Sequence, residues 1–314
     1  MKKKVCITGC LGFIGYHMTM ACLDLGWNVR GIDKITYAAN VDLLPRLRKY
    51  DNFVFEQIDI NDISYLIDFD YIINTAAETH VDNSIVSSKV FVRSNIDGVY
   101  HILELVKNTQ GRKPLLIHFS TDEVYGDIEQ GFHTESDLLK PSNPYSATKA
   151  SADMLILAWA RTYQVPYVIV RPTNNYGIGQ YHEKFIPNVI KRLRLGQRAQ
   201  LHDLGTPVRT WLHVSDTVNA VLTIIQSGRT NEIFNISGNC EFANKTVALK
   251  ILEYMDLAPD ESKYLDLSIK RPGQDVRYAI DDSKLQTLSW RATADFDQEL
   301  NKIVSWYLQK SDIS

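Results

Sequence analysis

The sequence predicts a doubly wound α/β fold, a parallel sheet with helices on both faces, on three observations. Short β-branched runs alternate with longer amphipathic stretches through the first half of the 314 residues. The runs are largely apolar without clean alternation, as expected of strands covered from two sides. A loop of spaced glycines lies between the first run and the first helical stretch.

The elements follow in order. Val5–Thr8 is a strand and Phe13–Leu25 a helix. Strands follow at Val29–Asp33, Phe53–Gln57 and Tyr71–Asn74. The helix Val90–Lys107 leads to the strand Leu115–Phe119, and the helix Tyr145–Gln164 leads to the strand Tyr167–Arg171. After Arg171 the rhythm changes. RPTNNYGIGQYHEKFIP is rich in turn formers, and helix-like KFIPNVIKRLRLG follows it. Short segments at Val208–His213, a helix near Ser215–Gln226 and a strand at Glu232–Ile236 come next. The C-terminal third carries helices at Thr246–Met255 and Phe296–Tyr307 and a Pro/Gly-rich RPGQD segment. No repeat or low-complexity tract interrupts the chain. Residues 1–172, with 212–238 returning to them, are expected to bind a dinucleotide. Residues 173–211 and 239–314 are expected to form a smaller, interleaved C-terminal lobe that binds the substrate.

Bulk composition excludes several classes. A net charge of −3 gives no footprint for nucleic acid. Cys6, Cys10, Cys22 and Cys240 form no C-x-x-C pair, so neither a metal site nor a disulfide framework is expected. Lys2–Lys4 before VCITGCLGFIG superficially resemble a signal peptide, but regularly spaced glycines do not suit its apolar segment. The longest apolar runs, such as Met154–Ala160, are too short to span a bilayer. A cytoplasmic protein with no membrane partner is expected.

Three motifs carry chemistry. Gly9, Gly12 and Gly15 follow a strand and open a helix, where glycine lets the backbone turn tightly and approach a pyrophosphate at the helix N-terminus. Asp33 ends the next strand, where a carboxylate can hold both ribose hydroxyls and repel a 2′-phosphate. This is the Rossmann-type pattern, and it favours NAD over NADP.

The second motif is a pair. Of the sixteen tyrosines only Tyr145 has a lysine four residues on, Lys149, which places both on one helix face. A phenol of pKa ~10 needs about 3 units of lowering, roughly 4 kcal/mol, to act near neutrality, and an ammonium beside it contributes in that direction. Ser142, Asn143 and Pro144 fit a helix start, with Tyr145 in an exposed first turn. The third motif is Ser120-Thr121-Asp122-Glu123, just past a strand's carboxyl end, where open parallel sheets gather their ligands. Two adjacent carboxylates there can divide into acid and base if their environments separate their pKa values.

With these residues in view, the chain resembles the extended short-chain dehydrogenase/reductase family, and within it the dTDP-glucose 4,6-dehydratase group. The resemblance runs through TGCLGFIG, IDKITYAAN, AAETHVDNSI, STDEVYGD, PSNPYSATKA, RPTNNYG, QYHEKFIP, VRTWLHVSD and RPGQDVRYAID, in order from Thr8 to Asp281. It implies a nucleotide-sugar substrate, NAD as cofactor and a homodimer. Tyr145 would take the proton of the sugar 4-hydroxyl, Lys149 would tune it, and Thr121 would bind the same oxygen. Glu123 would remove the C5 proton while protonated Asp122 helps the 6-hydroxyl leave. Phe13, Ile14, Lys34, Thr36, Asp59, Ile60, Ala76, Ala77 and Tyr145 would join the glycines and Asp33 around the cofactor, with Lys149 also binding the nicotinamide ribose. His80, Asn174, Lys184, Arg209 and Arg271 would hold the nucleotide sugar with Thr121.

The sequence departs from this pattern at Cys10, where a second glycine is usual, at Thr210, where aspartate is usual, and at His182, where proline is usual. The last two bear on the base or the sugar, so UDP-glucose remains an alternative to dTDP-glucose. A UDP-sugar 4-epimerase or UDP-glucuronate decarboxylase would share the Tyr/Lys pair but has no need of paired carboxylates at C5 and C6. A non-catalytic dinucleotide sensor would need the glycine loop alone.

Overall fold

The structure, a computed structural model, describes residues 2–273 and 275–310; Gln274 of the RPGQD segment lies outside them. Among the described residues there are twelve strands. In chain order they are β1 (Lys4–Thr8), β2 (Asn28–Asp33), β3 (Phe53–Gln57), β4 (Tyr71–Asn74), β5 (Leu115–Phe119) and β6 (Tyr167–Pro172), then β7 (Asn174–Tyr176), β8 (Ala199–His202), β9 (Val208–His213), β10 (Glu232–Ile236), β11 (Cys240–Ala243) and β12 (Leu265–Ile269). Seven of them form one parallel sheet in the order β10-β6-β5-β4-β1-β2-β3. The predicted doubly wound α/β fold is therefore present. The strand order reverses between β1 and β4, and ligands of such sheets bind in the crevice outside the carboxyl ends at that point.

Apolar side chains leave the sheet on both faces, which is why its strands show no clean apolar–polar alternation. On one face Ile7, Ile73 and Val168 pack against Met18 and Cys22 of the helix Phe13–Asp24 and Val221 and Ile224 of the helix Val214–Ser227. Leu285 and Trp290 join that core, so part of the C-terminal third packs on the large sheet. On the other face Cys6, Ile72 and Ile169 meet Ile102 and Val106 of the helix Gly98–Lys107 and Ala152 and Ile156 of the helix Pro144–Tyr163. A separate core unites the helices Phe185–Arg194, Asn244–Tyr254 and Phe296–Gln309 around Leu201, Trp211 and Leu265. There β7 and β11 flank β9, and β8 pairs with β12.

Two local features differ from the sequence reading. The stretch Val90–Lys107 is not one regular α-helix: Lys89–Phe91 and Gly98–Lys107 are α-helical, but Val92–Asp97 winds as a π-helix. The wider turn directs Ser94 and Asn95 inward. Asn95 bonds the Glu78 backbone at both N–H and C=O and also donates to Thr148 at 2.9 Å. Such bulges concentrate at functional sites, and this one lies against the cleft. The second difference is Tyr145. It does occupy the first turn of its helix, but it is buried, with 7% of its surface accessible. Asn143 caps that helix through Ser146 N–H at 2.9 Å, and Ser146 Oγ returns a bond from the Asn143 N–H. Phe91 closes over the ring edge-on at 6.5 Å.

Candidate active site

A single cleft crosses the carboxyl ends of the strands, lined at one end by the glycine loop and at the other by Asn174 and Lys184. At the first end the backbone does the building. Gly9 has φ +69°, and a Cβ there would sit 2.8 Å from the Ala76 backbone after β4. A Cβ on Gly15 would lie 2.0 Å from the Gly9 carbonyl oxygen. Loop, helix start and β4 thus meet so closely that only glycine fits, leaving the N-terminus of the helix Phe13–Asp24 open to the cleft. Gly12, Phe13, Ile14, Thr36, Ile60, Ala76 and Ala77 all line it.

Asp33, at the end of β2, accepts from Leu11 N–H at 3.0 Å and Ile35 N–H at 2.8 Å, one bond to each oxygen. Each oxygen keeps a lone pair for a hydroxyl. Burial raises its pKa. Lys34 donates to Ser94 at 3.0 Å and stands 3.8 Å from Asp59 and 3.6 Å from Glu78. Asp59 itself bonds Asn61 and lies behind the cleft wall instead of lining it.

The candidate reactive groups stand mid-cleft. Thr121, Asp122, Glu123 and Tyr145 all face it. Asp122 is buried with one carboxylate oxygen unpartnered, and burial, with the neighbouring Glu123 charge second, raises its pKa to about 7. Burial also raises Glu123, but the Arg209 charge opposes this, as does a bond from Asn143 Nδ2 at 3.3 Å. The two carboxyls therefore sit in different environments, the arrangement that lets one act as acid and the other as base. Burial, then the Glu123 and Asp122 charges, pushes the Tyr145 phenol upward, while Thr121 opposes them. These surroundings hold Tyr145 in its neutral, protonated form, and a positive charge in the cleft would favour its ionisation. Lys149 lies beneath. Its ammonium donates to the Phe119 carbonyl at 2.6 Å, 3.4 Å from His118 Nε2.

At the other end the placement of the expected residues is uneven. Asn174 presents a buried, unpartnered amide oxygen to the cleft. Lys184 lines the cleft and holds Thr79 through its hydroxyl at 2.8 Å and its carbonyl at 3.1 Å. His80 instead caps a short helix, accepting from Asn83 N–H at 3.4 Å. Arg209 is buried and donates to the backbone carbonyls of Val208, Asp275 and Val276 while stacking on Tyr278 at 4.5 Å. Arg271 grips Asp82 in a two-pronged pair, at 2.6 and 2.9 Å. None of these last three lines the cleft. Thr210 donates to the Tyr278 carbonyl at 3.3 Å, so both Arg209 and Thr210 fasten the segment that carries Tyr278. Tyr278 bonds Asp275 and lies 3.4 Å from Glu123. The sequence reading missed Tyr278 and the second role of Asn143; the aromatic immediately after Arg277 in RPGQDVRYAID was the available signal.

A family model described as GDP-mannose 4,6 dehydratase matches residues 6–303. A dTDP-glucose 4,6-dehydratase of Haemophilus influenzae is 38% identical, with 99% of each chain covered. The chain belongs to the dTDP-glucose 4,6-dehydratase family. Among solved structures, a dTDP-glucose 4,6-dehydratase from Streptomyces venezuelae with NAD and dTDP bound is 33% identical with a TM-score of 0.92, covering 98% of this chain and 97% of that one. Another from Bacillus anthracis, in complex with NAD, is 31% identical with a TM-score of 0.85, covering 98% of this chain and 97% of that one. The Rossmann-type sheet is shared with these dehydratase structures. Among the described residues no helix is long and apolar enough to cross a membrane.

Proposed function

We propose that this protein converts dTDP-glucose to dTDP-4-keto-6-deoxyglucose and water with bound NAD. The observation that carries the proposal is the Asp122–Glu123 pair, set in unlike environments beside Tyr145 in one cleft. The glycine loop and Asp33 fit the cofactor, which supplies a hydride acceptor for C4 and, once reduced, a donor for C6. Tyr145 takes the proton from the 4-hydroxyl, with Thr121 on the same oxygen. The ketone at C4 then acidifies the hydrogen on C5. Glu123 removes that proton, Asp122 delivers its own to the departing 6-hydroxyl, and water leaves. When C6 has been reduced, Glu123 returns a proton to C5. Lys184 and Asn174 bind the nucleotide sugar, and Arg271 joins them by exchanging Asp82 for a phosphate.

Residues 1–172 and 212–238 serve the cofactor, and residues 173–211 and 239–314 mainly serve the nucleotide sugar. The cysteines are all free thiols, which suits a cytoplasmic setting. The protein acts as a two-fold homodimer. Val90, Val92, Tyr100 and Met154 are each between 41% and 50% accessible on the helical stretch 89–107 and the helix Pro144–Tyr163, a surface that a second copy would bury. Light scattering at micromolar concentration should give twice the chain mass, and a monomer would refute this.

The deciding experiment follows the hydride. Deuterium placed at C4 of dTDP-glucose should reappear at C6 of the same molecule, with one solvent hydrogen entering at C5. Label that stays at C4 would defeat the dehydratase reading.

A further inference from the structure

Behind Tyr145 and Lys149 a row of buried polar side chains crosses the sheet. Thr8, Asn74 and His118 are register partners on β1, β4 and β5. Their contacts run in series. Thr8 Oγ1 lies 2.6 Å from Asn74 Oδ1, Asn74 Nδ2 lies 3.0 Å from His118 Nδ1, and His118 Nε2 lies 3.4 Å from Lys149 Nζ. All four residues are at most 3% accessible. Thr8 lines the cleft beside Gly9, so the row joins the glycine loop to the lysine beneath the reactive tyrosine.

Such a chain has a direction, and here the direction depends on a charge. A neutral imidazole carries one proton, so one ring nitrogen donates while the other accepts. If Lys149 is an ammonium, Nε2 must accept from it. Nδ1–H then donates to the Asn74 oxygen, and the amide nitrogen donates to Thr8. If Lys149 is an amine, the order reverses. Thr8 donates to the Asn74 oxygen, the amide donates to Nδ1, and Nε2–H donates to the lone pair on Nζ. Both orders fit the same heavy-atom positions, because turning the amide over only exchanges its oxygen and nitrogen. The ring does not avoid the choice by taking a second proton, since burial, reinforced by Lys149, holds its pKa well below the ordinary value.

We propose that His118 is a positioning residue for Lys149 whose tautomer follows the lysine's charge, carrying that charge state through Asn74 and Thr8 to the glycine loop. When Lys149 loses its proton, Nδ1 releases its proton to solvent and Nε2 takes one from solvent, so the ring stays singly protonated while its tautomer changes from Nδ1–H to Nε2–H. Other groups also face the lysine. Asp153, one turn on, is paired with Arg171 of β6 and accepts from Ser120 after β5, and Tyr145 stands one turn back. Burial lowers Lys149 to about 8 against the pull of Asp153, so the change falls in an accessible pH range. The inference depends on the proposed function only for what Lys149 does to Tyr145.

The test uses the full chain with isotopically labelled histidine and no substrate. Nitrogen resonances report which ring atom is protonated, and the His118 signal is the one missing from His118→Gln. Titration from about pH 6 to 10 should show Nδ1–H giving way to Nε2–H, and Lys149→Met should abolish the step. A fixed tautomer, a doubly protonated ring, or an unchanged step in Lys149→Met would overturn the proposal. With dTDP-glucose, His118→Leu should move the pH limb of NADH formation down by about one unit at unchanged KM, and His118→Gln should restore most of it. An unmoved limb in the leucine variant counts against the proposal too. The spectra need no substrate, so an error in the substrate assignment would leave them standing.

Discussion

The two ends of the cleft are made of different materials. At the cofactor end, backbone does most of the work: glycines at fixed offsets from β1, a carboxylate at the end of β2 and alanines after β4. At the nucleotide end, long cationic side chains are expected to do it, and the structure shows them engaged with the protein itself. Arg209 holds three carbonyls and Arg271 holds Asp82. A site made of backbone is complete when the sheet forms. A site made of arginines is completed by exchanging partners, and its affinity is the difference between two sets of bonds.

The sharpest way to break this comparison is at the middle of the cleft, where strand-end groups should dominate. Glu123→Gln keeps the shape but removes the base, so turnover should fall by ~10²–10⁴-fold, while C4 oxidation survives and bound NADH accumulates in stopped-flow absorbance. Full turnover would show that a different group takes the C5 proton. The same measurement against pH separates the acid. Asp122, raised to about 7, is protonated below that pH and ionised above it. Elimination should therefore decline as pH rises through 7, and Asp122→Asn should erase that limb along with most of the rate. A limb that persists in Asp122→Asn would assign it elsewhere. A smaller effect is expected at the nucleotide end. Arg271→Lys loses the two-pronged fork, so KM for dTDP-glucose should rise about tenfold with kcat nearly unchanged. Equal losses in kcat and kcat/KM would instead place Arg271 in the transition state.

This contrast also decides what the sequence could disclose. The seven sheet strands were legible as short runs rich in β-branched and aromatic residues, most of them buried, and Gly9, Gly15 and Asp33 because their offsets from strand ends are fixed by the fold. β7, β8, β11 and β12 were not recognised as separate strands, since each has three to five residues and draws its pairing from the second core. The π-turn at Val92–Asp97 also left no periodic signal, because it exists to satisfy Asn95 against Glu78 and Thr148. Tyr145 was placed correctly in the first turn but wrongly exposed. Its cover comes from Phe91, fifty-four positions earlier, and no local pattern carries such a contact. The resemblance located Arg209, but where its fork points was settled by carbonyls at 275 and 276.

Asn143 holds the two chemical stations at one spacing. Its amide oxygen caps the helix that carries Tyr145 and Lys149, and its amide nitrogen reaches Glu123. In the proposed reaction, a sugar oxidised at one carbon and stripped of a proton at the next would therefore meet both groups without being shifted between them. One short side chain acts as a gauge block, and the reactive ketone has no need to travel, and so no occasion to escape, between its making and its use.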